Sequence, residues 1–154
     1  MDGITQILLS ALVGAGSALA VEGLKGVVSR YFQKLDETKA QREHDYLTLR
    51  NVIFETRDLA TEYWENPGAA PGQKTRQASI IGRLTFILKI QSDLFDANRA
   101  LSRKVGEQMD QFYDACSGGE FGSSDRPEQS ERCTDVEVAA YSLVHRCQSA
   151  LRQL

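Results

Sequence analysis

The sequence predicts an all-α fold: an N-terminal apolar helix followed by a three-helix antiparallel bundle with long helices. Beyond residue 28 the apolar residues recur at spacings of three, four and seven, the repeat of one buried helical face. No stretch sustains the alternation of a strand, and no Asn-Gly hairpin signal occurs. Ahead of that region lies a long run without charge. With 154 residues, 42% of them hydrophobic and 25% charged, the chain has globular composition and the size of one ordinary domain.

The first element is the apolar stretch 1–28. Gly3–Val21 carries no charge over 19 positions, and apolar character resumes at Gly26-Val27-Val28. That is close to the ~20 residues that span a bilayer. Lys25, Arg30 and Lys34 follow it, while only Asp2 and the terminal amine precede it. The positive-inside rule then places the N-terminus outside and the rest on the cytoplasmic face of an inner or plasma membrane. Arg30, Tyr31 and Phe32 are the expected interface anchor. Small residues repeat every four positions as Ala11/Ala15, Gly14/Ala18 and Gly16/Ala20. In a membrane that spacing lets two helices approach closely and self-associate.

Two other readings compete for the same stretch. Ala18-Leu19-Ala20 has the small-x-small form of a signal-peptide cleavage site, but Met-Asp-Gly lacks the positive charge that precedes one. Thr5, Gln6, Ser10, Gly14, Gly16 and Ser17 lower the hydrophobicity, as in a helix buried in the interface of a soluble, cytoplasmic assembly.

The bundle is expected over 29–154. Its first helix has a charged lead-in and then Leu49, Val52, Ile53, Leu59, Ala60, Tyr63 and Trp64 on one face. A Pro/Gly loop at 65–74 ends it. From Thr75, the stripe Ile80, Leu84, Ile87, Leu94, Leu101, Val105, Met109, Phe112 fits one helix of about 40 residues, with Asp96-Ala97-Asn98 as the place for a break. The acidic loop at 117–133 is almost without apolar residues. It is expected to be exposed, cut first by proteases and removable at little cost in stability. Thr134 with Glu137 reads as the capping box of the last helix. Ile53, Trp64, Ile87 and Leu143 are the expected core.

The chemistry-bearing residues are few. A net charge of −3 argues against a nucleic-acid partner. Three cysteines make an odd count without a CxxC, the pattern of reduced thiols. Neither His44 nor His145 has a glutamate three residues before it, as a di-iron bundle needs, and no phosphate-binding loop occurs. Glu55, Asp58 and Glu62 form an acidic ridge, more simply a solvated face than a cation site. No catalytic residue, metal or cofactor is expected.

Charge is arranged more tellingly. A basic face, Arg76, Arg83, Lys89, Arg99, Arg103 and Lys104, precedes the acidic loop. The two either neutralise each other, or the loop covers a face that meets anionic lipid or an acidic partner. The expected function is a non-enzymatic membrane-associated protein. Its N-terminal helix inserts or self-associates, and its bundle binds a protein partner. By layout alone this is the plan of a small bacterial membrane effector. The alternative is a soluble helical adaptor or assembly subunit.

Overall fold

The computed structural model describes Gln33 and residues 36–154. The apolar stretch 1–28, its small residues and the Arg30-Tyr31-Phe32 anchor lie outside the described residues. The chain divides into two compact units, Met1–Gln41 and Arg42–Leu154, and the helical bundle is the second. Among the described residues all regular secondary structure is helical.

Residues 36–65 are helical, and 42–65 form α1 of the bundle. Then come α2 (Gln73–Phe95), α3 (Arg99–Ser117) and α4 (Ser130–Leu151). Along α1 the residues Tyr46, Leu49, Ile53, Ala60, Tyr63 and Trp64 are buried, the three-and-four spacing of one inward face. Pro67 lies just past its end. Gly72, at φ 81°, precedes α2 in the left-handed region that favours glycine.

Neighbouring helices run in opposite directions. Between α1 and α2, Glu62 pairs with Arg76 at 2.6 Å and Glu55 with Arg83 at 3.2 Å. Between α1 and α4, the rings of Phe54 and Tyr141 are 5.4 Å apart, and the Cys133 thiol donates to the Thr61 carbonyl at 3.7 Å. α3 packs against both α2 and α4. The result is an all-α helical bundle, with Ile53, Trp64, Ile87 and Leu143 all at most 1% exposed.

The stretch read as one helix of about 40 residues is two helices, divided at the marked break. The Asn98 side chain accepts from the Leu101 amide at 3.2 Å and so caps α3. Both helices turn the same three-and-four stripe to the core, so periodicity alone does not register the reversal between them.

Two further expectations are corrected. Thr134 is not an N-cap, because α4 begins one turn earlier at Ser130. The Gln129 amide donates to the Trp64 carbonyl at 2.9 Å, and the Arg132 amide to the Gln129 carbonyl at 3.1 Å, which fixes the earlier start. Nor is the loop at 117–133 merely an exposed strand of polar residues. Arg126 within it is 1% exposed and Phe121 packs against the core.

Candidate functional site

Two ends of the bundle differ in chemistry. At the end where α1 and α3 finish, three segments converge on Tyr63 and Trp64. The two rings meet edge to face, with centroids 5.0 Å apart, and Phe121 of the loop lies 4.9 Å from Tyr63. The Arg126 guanidinium carbon sits 4.4 Å over Tyr63 and 4.7 Å over Trp64, and that of Arg132 sits 4.8 Å over Trp64. The indole Nε1 donates to the Cys116 carbonyl of α3 at 3.1 Å.

These arginines also close helix ends. Arg126 Nη2 donates to the carbonyls of Tyr63 and Asn66 at 2.9 and 2.8 Å, and Gln73 Nε2 reaches the same two carbonyls at 3.1 Å. Arg132 donates to Asp114 and Ala115 at the end of α3. The last carbonyls of a helix lack partners within it and carry the negative end of its dipole. Among the described residues Arg126 has no carboxylate partner, so the carbonyls and aromatic faces offset the cost of its buried charge. This arrangement is a structural clasp.

At the other end α2 turns into α3, α1 begins and α4 finishes. The half of the bundle nearest this turn, residues 42–50, 86–107 and 143–154, carries eight Lys/Arg against five Asp/Glu. The clasp half, residues 51–85 and 108–142, carries six against twelve. The bundle is therefore electrically polarised along its axis.

The predicted basic face is split by this geometry. Arg76 and Arg83 pair with the acidic ridge of α1, at Glu62 and Glu55. The third acid of the ridge, Asp58, accepts from its neighbour Arg57 at 2.8 Å. Lys89, Arg99, Arg103 and Lys104 are exposed and make no ion pair among the described residues. The acidic loop does not cover them. Gly122 donates to the Tyr63 hydroxyl at 3.0 Å, beside Gln77 near the start of α2. Lys89 is about 18 Å further along α2 and α3 begins beyond that. The loop was drawn to the clasp end by Arg126 and Phe121, not to the basic stripe.

Three other features bear on chemistry. Burial pushes the thiols of Cys116 and Cys147 up to about 12, so neither is a thiolate nucleophile near neutral pH. His145 is exposed while Cys147 is buried, so these near neighbours face apart. Among the described residues no group of three or more His, Cys, Asp and Glu could hold a metal ion. On α2, three apolar side chains, Ile81, Phe86 and Leu88, stay 38%, 47% and 41% exposed.

No family model, no curated protein and no solved structure matches the chain.

Arg126, Arg132 and Gln73 were not singled out in the sequence as structural residues. Two arginines in a Gly/Ser/acid-rich loop read as solvated charge. The available signal was Tyr63-Trp64, an aromatic pair placed just before the Asn66-Pro67-Gly68 stop, which needs a cover from somewhere else in the chain.

Proposed function

We propose that this chain is a non-enzymatic, membrane-anchored helical protein. Gly3–Val21 inserts in an inner or plasma membrane as a single pass, with the N-terminus outside and the bundle cytoplasmic and free to bind a protein partner. The observation that carries this reading is the 19-residue uncharged stretch followed by Lys25, Arg30 and Lys34. No helix among the described residues is long and apolar enough to cross a membrane. The bundle draws its core from α1 to α4. Ala11, Gly14, Ala15, Gly16, Ala18 and Ala20 supply the close approach for self-association, in the manner of a small bacterial membrane effector.

Carbonate extraction of membranes carrying the full chain tests the anchor. Leu12→Arg, near the middle of the stretch, costs about 2.5–3.5 kcal/mol on insertion scales and should release the protein. Unchanged fractionation of that variant would defeat the reading. Gly14→Leu and Gly16→Leu keep the stretch apolar and should reduce cross-linked oligomers without releasing the protein.

The exposed apolar side chains Ile81, Phe86 and Leu88 of α2 favour a second reading: a soluble adaptor or assembly subunit whose first helix is buried in a protein–protein interface. Under that reading wild type is already extractable by carbonate, and Leu12→Arg costs it a partner or its fold.

A further inference from the structure

We infer that the turn end of the bundle is a contact surface for acidic phospholipid, with Lys89, Arg99, Arg103 and Lys104 meeting the headgroups. The inference deepens the membrane reading above and rests on it for the nearness of a bilayer. These four side chains are exposed and unpaired among the described residues, while Arg76 and Arg83 of the same stripe are neutralised by α1.

Local stability does not ask for cations here. Arg99 occupies the first position of α3, a helix with no acid in its first turn. A positive charge there opposes the positive end of the helix dipole. The arrangement makes sense if an anion arrives from outside. Phe86 stands three residues before Lys89, on the same side of α2, and is 47% exposed. An aromatic ring beside a cation is the pairing found at headgroup level.

Position selects a membrane surface over other polyanions. The turn end is where α1 begins, and in sequence α1 follows the stretch that contains Gly3–Val21. The acidic clasp end lies at the far end of α1, about 36 Å away for a 24-residue helix. Screening over roughly 8 Å at physiological salt hides those acids from a flat surface touching the turn end. A long nucleic acid lying along the bundle would meet them.

The test uses the full chain with Cys133→Ser and Ala100→Cys, labelled at position 100 with a fluorophore. Ala100 is exposed among the cations, and Cys116 and Cys147 are buried. The protein is added to phosphatidylcholine vesicles with or without phosphatidylserine, each containing a headgroup-nitroxide quencher. Quenching is expected with phosphatidylserine, and salt should relieve it. Each cation at an acidic surface is worth roughly fivefold in binding, so Arg99→Glu/Arg103→Glu/Lys104→Glu should weaken the contact by at least roughly a hundredfold. An unchanged denaturation midpoint or better shows that this variant is folded.

Equal quenching on neutral vesicles, or undiminished quenching in the triple variant, overturns the inference. So does retention of duplex DNA that depends on the same three residues, which would reassign the surface. Carbonate-resistant protein without quenching sinks the lipid contact and leaves the anchor standing. Salt-sensitive quenching by carbonate-extractable protein does the reverse: it supports the lipid contact and removes the anchor.

Discussion

The Arg126 guanidinium lies 4.4 Å over the ring of Tyr63 and donates to that residue's own carbonyl at 2.9 Å, across 63 positions of sequence. One side chain thus covers an aromatic face and closes the end of the helix that carries it.

Arg126→Ala should destabilise the bundle by about 3 kcal/mol or more. Hydrogen bonds from a charged donor are worth about 1.5–3 kcal/mol, and a desolvated cation–ring contact about 2 kcal/mol. Arg126→Lys keeps the charge but loses the planar fork, and should recover less than half of the loss. Urea denaturation followed by the fluorescence of Trp64, the single tryptophan, measures both. Equal midpoints for Arg126→Ala and wild type would show that the clasp contributes nothing.

Deleting Gly118–Pro127 should lower the melting temperature sharply or prevent folding, since it removes Arg126 and Phe121 together. A gentler probe is Gly68→Ala. A Cβ at Gly68 would collide with the Ser123 carbonyl, so the two loops must part. Limited proteolysis should cut that variant within 118–127 faster than wild type, and equal cleavage rates would show that the loops are not held together.

The all-α class, the core face of each helix and the break at Asp96-Ala97-Asn98 were legible because helical burial repeats every three to four residues. The clasp was not legible. Arg126 follows Asp125 in a polar loop, and nothing local distinguishes an arginine that turns inward over a distant ring from one that stays in water. The basic face was legible as a list of residues. Its division into a paired half and a free half was not, because that depends on which helix faces Glu55 and Glu62. The start of α4 was misplaced for a similar reason: the Trp64 carbonyl, not a side-chain cap, fixes it.

Ile87→Ala should destabilise by about 2–5 kcal/mol, the range for emptying a fully buried aliphatic site. Thermal or urea midpoints check it. A cost below 1 kcal/mol would mean that the core collapses around the site.

Arg99→Glu should stabilise the bundle by about 0.3–1 kcal/mol at low salt, because it replaces a cation by an anion at the start of α3. Salt should erase most of the gain. A fall in the denaturation midpoint would show that Arg99 serves the fold.

The buried thiols set an alkaline limit. Cys116 and Cys147 are held at about 12 by burial, against an ordinary value of 9.0. Unfolding lets them ionise at the ordinary value, so their contribution to stability is complete below about 9 and is lost as pH rises from there towards about 12. In the native state at pH 8 a thiol reagent should find the half-buried Cys133 first and leave the other two until denaturant is added. Rapid modification of all three would contradict their burial.

The clasp also governs time. Its partners Arg126 and Tyr63 stand 63 positions apart in sequence, so forming it requires a long loop to be shut after the local helices exist. It should assemble late, beyond the rate-limiting barrier, and its loss should be felt in escape from the native state. Arg126→Ala is therefore expected to raise the unfolding rate by nearly its whole energetic cost, with the refolding limb of the chevron almost unmoved. A bundle built this way keeps its lifetime, more than its speed of assembly, in one arginine of a loop.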